Sequence, residues 1–285
     1  VRRFFATVPE SELEARSLDD LYGMVLAYWN DLNKKTEDIK LRVFNPTVKK
    51  EGWFSEHTVI EVIQADMPFL VDTIMMALNS LNLNIHFVIH TGKVRFVRSM
   101  SGKVTEVLPF DAPEHPGETH DSLVYVEVDR QIEGSDAIKE VQVQLMDAIT
   151  EVNIVVEDFI PIKSKLVKAV SDLEKLKSLS KIPQKFSESV AFLNWLLDDN
   201  FIFLGYNYFN IKHDKNNKKQ RKQNKKMLLG ILKDQKRYPV SKCIFRPNLI
   251  TSYQGALDLS ISVEKANVLS KVHRNAYMEV ITILS

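Results

Sequence analysis

The chain has 285 residues, 45% hydrophobic and 26% charged, with a formal net charge of +1, the balance of a globular protein with a sizeable core and room for about two domains. Its one cysteine, Cys243, excludes a disulfide within the chain and any Cys-x-x-Cys metal or redox site, in keeping with a reducing, cytoplasmic compartment. No run of about 18 apolar residues suggests a transmembrane helix, and the first residues lack the apolar centre of a signal peptide.

In chain order, the first strong signal is "SLDDLYGMVLAYWNDLN" from Ser17. Leu18, Leu21, Tyr22, Val25, Tyr28, Trp29 and Leu32 recur every three or four residues, predicting an amphipathic helix. Ser17 is placed to cap it, and Asp19 and Asp20 suit its first turn. "HTVIEVIQ" (57–64) is β-branched and strand-like, and Pro68 to Leu81 reads as a helix. "LNIHFVIH" (83–90) alternates Leu83, Ile85, Phe87 and Ile89 with Asn84, His86, Val88 and His90, the pattern of a half-buried strand. "KVRFVRS" and "KVTEVLPF" predict two more strands joined through Ser101-Gly102. "DAPEHPGETHDS" is punctuated as a loop, and "LVYVEV" (123–128) is a further strand.

A long helical stretch follows, with Val141, Leu145, Ala148, Ile149 and Val152 in one stripe. Pro161 predicts either one kinked helix or two abutting ones. Pro183 separates this stretch from a helix in "SESVAFLNWLLDDN". Strands are expected in "FIFLGYNYFNI", "KMLLGIL", "LITSY" and "YMEVITIL". Lys212 to Lys226 holds eight Lys or Arg and one Asp, which leaves the remainder mildly acidic and reads as a solvated basic loop. The start without methionine and the end inside an apolar run suggest a piece cut from a longer chain.

The order β-α-β-β-(β)-α predicts an α+β sandwich of ferredoxin-like kind, with helices on one face. Ile85, Phe87 and Ile89 would look at the helices, and Asn84, His86 and His90 away from them.

Four places merit attention as sites. The corner Asp66-Met67-Pro68-Phe69 joins strand to helix. Asp66 can cap the helix and Pro68 suits its first turn. Alternatively, exposed N–H groups there receive an anionic ligand such as an amino-acid carboxylate. His86 and His90 should share a strand face, with His57 and Glu61 at like parity next door. That set suits interface histidines better than a metal, and no metal is assigned. The basic loop lacks the interleaved aromatics of single-strand binders, so neither nucleic acid nor membrane is an expected partner. "KVHRNAY" (271–277) gathers Lys, His, Arg and Tyr, too weak a cluster to assign catalysis. Cys243 reads as a small buried apolar residue. No G-x-G-x-x-G, P-loop, G-x-S-x-G or H-E-x-x-H occurs.

"RVFNPTVKKEGWFSEHTVIEVIQADMPFLVDTIMMALNSLNLNIHFVIH" resembles the N-terminal region of large bacterial NAD-specific glutamate dehydrogenases, as do "ARSLDDLYGMVLAYW", "LLDDNFIFLGYNYF" and "KANVLSKVHRNAYMEV". The resemblance implies an ACT-like domain in a regulatory segment. It implies a homo-oligomeric parent that converts L-glutamate to 2-oxoglutarate and ammonia with NAD. Two roles stay open for the segment: a sensor of an amino-acid effector near Asp66, or an interaction module for oligomerisation with no ligand of its own. Catalytic and cofactor-binding residues would lie outside this chain, so none is assigned here. The expected layout is an N-terminal helical segment (1–50), an ACT-like domain (51–158), a helical linker (159–198) and an incomplete second β-rich, ACT-like domain (199–285). Amino-acid-binding ACT domains carry Asp-x-Pro-Gly at the corner, where this chain has Phe69 in place of glycine. Replacing Phe69 with glycine is expected to cost modest stability through lost apolar burial.

Overall fold

A computed structural model describes residues 1–33, 38–179, 183–213, 219–223, 227–239 and 261–283. The chain divides into two compact units, Val1–Ile149 and Thr150–Ser285.

The first unit is built on five antiparallel strands: β1 (Ile39–Phe44), β2 (Thr58–Ala65), β3 (Ile85–Arg98), β4 (Val104–Leu108) and β5 (Glu118–Val128). They lie in the order β1-β2-β5-β3-β4. Strands β2 and β3 both run antiparallel to β5 and so parallel to each other, joined by α4 (Leu70–Ser80). This is the split β-α-β of a ferredoxin-like fold. In that fold a strand following the second helix would lie beside β2. Here β1, which comes before the rest of the sheet in sequence, holds the place.

Strand β2 is buried from Thr58 to Gln64. Its alternate residues face two different helical layers, as do those of β5. On one face Val59, Ile63, Leu123, Tyr125, Phe87 and Ile89 form a cluster with Phe4, Trp53 and Met24, Tyr28 and Leu32 of α2 (Leu18–Asn33), the helix that follows the short α1 (Glu10–Glu14). On the other, Ile60, Val62, Val124 and Val126 are fully buried. So are Leu70, Ile74 and Leu78 of α4 and Val141, Leu145 and Ala148 at the start of α5 (Asp136–Leu179), none of which belongs to the first cluster. The sheet therefore carries helices on both faces, not on one. The face of Phe87 and Ile89 is covered by the N-terminal segment and α2. Ile85 leaves their set because a bulge between Ile85 and Phe87 shifts the register, placing Ile85 opposite Val128 and Phe87 opposite Glu127.

Helix α2 begins as expected. The Ser17 hydroxyl accepts the Asp20 N–H at 3.1 Å, leaving Leu18 as the first helical residue. It buries Met24 and Leu32, worth on the order of 2 kcal/mol each in transfer free energy. The Tyr28 ring lies against Phe4 at 5.0 Å, and its hydroxyl donates to the Val124 carbonyl at 2.7 Å. Gly23 occupies the middle of this helix because Trp53 sits against it. A Cβ at position 23 would come within 2.6 Å of the Trp53 Cβ.

In the second unit α5 continues as one helix through Pro161. Among the described residues it is followed by α6 (Pro183–Trp195) and three two-stranded ladders. These are β6 (Gly205–Tyr206) with β9 (Leu229–Gly230), β7 (Phe209–His213) with β8 (Lys219–Gln223), and β10 (Ile261–Leu269) with β11 (Tyr277–Ile283). Ile162, Leu166, Leu173, Phe186, Leu193 and Phe203 anchor its core. The basic stretch is thus not all loop, since Lys219–Gln223 pairs with Phe209–His213 as a hairpin. "LITSY" and Cys243 lie outside the described residues.

Glycine in a helix interior costs about 1 kcal/mol relative to alanine, so Gly23→Ala would ordinarily stabilise. Here the contact with Trp53 should reverse the sign, and a loss of about 1–3 kcal/mol is expected from overpacking. Urea unfolding of the two chains measures it; a more stable variant would show that Trp53 does not require glycine.

Candidate functional site

The corner after β2 is built differently from a simple capped helix. The Asp66 N–H extends the ladder by donating to the His120 carbonyl at 2.9 Å, and Asp66 itself is exposed. Pro68 and Phe69 then form a turn, and α4 starts only at Leu70. The capping position belongs to Phe69, which contributes no side-chain cap bond. Asp66 therefore does not cap α4, and Pro68 precedes its first turn rather than forming it, because the turn moves the helix start past both. Phe69 adopts φ 69° and ψ −1°, the left-handed region. A side chain costs about 1 kcal/mol or more there and glycine almost none. The glycine of related corners therefore has a backbone reason as well as a ligand-access reason, and Phe69 holds the same conformation with its ring half-buried.

The two histidines have separate partners. His90 Nε2 lies 2.9 Å from the Ser122 hydroxyl. Burial pulls its pKa below the ordinary value, against the nearby charge of Asp66. His86 stacks on His57 with centroids 4.2 Å apart and planes at 14°, and its Nε2 meets Asp129 Oδ1 at 2.7 Å. Asn84 donates its backbone N–H to Asp129 at 3.0 Å and its side-chain amide at 2.8 Å. The backbone bond first, then His86, holds the Asp129 carboxyl below the usual carboxylate range. His90 thus belongs with the Asp66 corner, whereas His86 belongs with His57 and Asp129. Glu61 joins neither, because it points to the α2 face. No three His, Cys, Asp or Glu among the described residues are arranged to hold a metal.

Three groups that sequence reasoning passed over, Arg16, Tyr125 and Glu127, lie on that face with Glu61. Arg16 grips Glu127 with two bonds of 2.8 Å, and the Tyr125 hydroxyl donates to Glu127 at 2.6 Å. Burial would raise this carboxyl, but Arg16 and Tyr125 outweigh it and keep it below its ordinary value. Glu61 is bonded to Arg42 at 3.1 Å, yet burial pushes its pKa up to about 8. Both acids were visible as single glutamates inside valine-rich strands, "TVIEVIQ" and "LVYVEV". An acid in a two-faced buried strand is a signal in itself. The Lys271–Tyr277 cluster falls in the turn between β10 and β11. There the Ser270 N–H donates to the Ala276 carbonyl at 2.8 Å and Arg274 Nε donates to His273 Nε2 at 3.1 Å.

The split β-α-β, its antiparallel sheet and the strand-turn-helix corner define an α+β sandwich of the ACT type. Residues 1–145 match the family described as "Glutamate dehydrogenase, ACT1 domain", and the chain belongs to that family. It is 35% identical over 238 residues to an NAD-specific glutamate dehydrogenase of Halomonas elongata, covering 82% of this chain and 14% of that protein. It is 32% identical over 283 residues to the NAD-specific glutamate dehydrogenase of Pseudomonas aeruginosa, covering 99% of this chain and 17% of that protein. The chain thus spans less than a fifth of the length of these relatives. No helix among the described residues is long and apolar enough to cross a membrane.

Phe69→Gly and Phe69→Ala separate the backbone from the side-chain contribution. Both lose the ring, but only glycine relieves the left-handed strain. The glycine variant should be more stable than the alanine variant by about 1 kcal/mol, and within about 1 kcal/mol of the parent. This is less than burial alone suggests. Thermal melts rank the three chains; alanine equal to glycine would mean that the left-handed conformation carries no strain.

Proposed function

We propose that this chain is a regulatory and assembly segment of an NAD-dependent glutamate dehydrogenase, without catalytic or cofactor-binding residues of its own. The parent enzyme would oxidise L-glutamate with NAD in the cytoplasm, yielding 2-oxoglutarate, ammonia and NADH. The segment's partners would be the rest of its own polypeptide and further subunits of a homo-oligomer.

The observation that carries this reading is a second apolar stripe on α2. Beside the buried Met24, Tyr28 and Leu32, the helix leaves Leu18, Tyr22, Leu26 and Trp29 exposed by 83%, 61%, 42% and 40%. At 3.6 residues per turn these four share one side. Continuous apolar surface of this kind marks a surface that is covered in the working protein. The relatives, several times longer than this chain, supply ample polypeptide to cover it. Part of β3 is open as well. Strand β4 pairs only with Arg95–Arg98, so Ile85–His90 has a strand on one side alone among the described residues. An amino-acid effector would sit at the Asp66–Phe69 corner beside His90, and ligand access there should rise in Phe69→Gly.

The double substitution Tyr22→Lys, Trp29→Lys in the full-length parent tests the assembly role. Light scattering should show smaller particles and the turnover of glutamate should fall or lose its regulation. The melting temperature of the 285-residue chain should stay within about 3 °C, because both side chains are exposed. Unchanged mass and kinetics would overturn the assembly reading. Calorimetry with a panel of amino acids tests the effector. Heat at millimolar ligand, lost in Asp66→Ala, is expected, and the absence of both heat and any melting shift would remove the effector site from the proposal.

A further inference from the structure

We infer that Glu61 acts as a proton-operated latch for α2: the helix is seated on the sheet while the carboxyl is protonated, and losing the proton loosens it. Glu61 lies at the centre of β2, opposite Arg42 of β1 and Tyr125 of β5. It stands between Val59 and Ile63, which pack in the cluster containing Tyr28 of α2, and is 2% exposed.

One carboxyl oxygen receives Arg42 at 3.1 Å, and the other has no hydrogen-bond partner. Arg42 is not devoted to Glu61. It also bonds Glu51 of α3 (Val48–Glu51) at 2.9 Å and Asp31 of α2 at 3.2 Å. Lys40 of β1, the other cation nearby, is engaged by Asp31 at 2.7 Å. Three acids thus share two bases. The remaining groups that face Glu61 are the phenols of Tyr28 and Tyr125. Neither donates to it, since Tyr28 is committed to the Val124 carbonyl and Tyr125 to Glu127. An ionised Glu61 would be a buried charge with an incomplete set of donors, beside Asp31 on the helix that covers it.

Glu127, in the next cross-strand row against Val59, supplies the contrast. It is equally enclosed, but Arg16 and Tyr125 meet its carboxylate directly. The sign follows from linkage. The folded-state pKa of Glu61 is raised above the unfolded one, so its favourable contribution is complete below about pH 4.5. It declines as pH rises and is gone above about 8. The segment that responds is α2, which holds both Asp31 and Tyr28 and presents the exposed stripe on its other side.

Amide exchange of α2 in the 285-residue chain, wild type against Glu61→Gln, provides the test. The ratio of their opening equilibria, which cancels intrinsic exchange, should rise up to about tenfold per pH unit between about pH 5 and 8 and level off above. Glu127→Gln should not show this rise. A wild-type to Glu61→Gln ratio independent of pH would overturn the latch. Should Glu61→Gln fail to fold, infrared spectroscopy of the wild-type chain decides. A protonated-carboxyl stretch present at pH 7 and lost near pH 8 supports the latch, and its absence at pH 7 overturns it.

Discussion

Strand β2 has no solvent side, and the first unit is arranged around that constraint. Each of its residues from Thr58 to Gln64 must be satisfied by a neighbouring strand or a covering helix. Strands β1 and β5 complete its ladders. The N-terminal segment with α2 closes one face, while α4 and α5 supply the apolar surface of the other. A sheet covered on one side only would expose either Val59 and Ile63 or Ile60 and Val62. The N-terminal residues are therefore part of the core: Phe4 contacts Tyr28, and Arg3 donates to the Leu108 carbonyl at 2.7 Å.

The same constraint explains why two glutamates on one face behave oppositely. Both sit in strands enclosed by the α2 layer, where a carboxylate loses its water. Glu127 recovers that loss through a bidentate arginine, a phenol and the Ser55 hydroxyl at 3.3 Å. Glu61 has one shared arginine and an oxygen without a donor. As pH falls, Glu127 loses the stabilisation that depends on its being ionised. As pH rises, Glu61 loses the stabilisation that depends on its being neutral. The face is held from both ends of the pH scale, and α2 lies over it.

Much of the fold was legible because its strongest signals are local. The three- and four-residue spacing from Leu18 to Leu32 and the Ser17 cap mark α2, and the β-branched runs mark β2 and β5. What could not be read depends on partners far away in sequence. Nothing local says that Ile39–Phe44 would fill the place beside β2. The bulge at His86 is set by the pairing with β5, so alternation alone put Ile85 on the wrong face. The placement of α2 on the Phe87 face follows from an apolar stripe that matches either side of a sheet equally well.

Phe69 shows where a local motif misleads for a physical reason. Asp-x-Pro reads as a capped helix start, because Asp accepts N–H bonds and Pro suits a first turn. The chain instead turns once more, and Phe69 takes the left-handed conformation that lets Leu70 begin the helix with its side chain fully in the core. Burial of Leu70, on the order of 2 kcal/mol, outweighs roughly 1 kcal/mol of backbone strain at Phe69. The corner's geometry is thus set by what α4 must bury rather than by what Asp66 can cap. That leaves the Asp66 carboxylate exposed beside His90, where it is free of any capping duty.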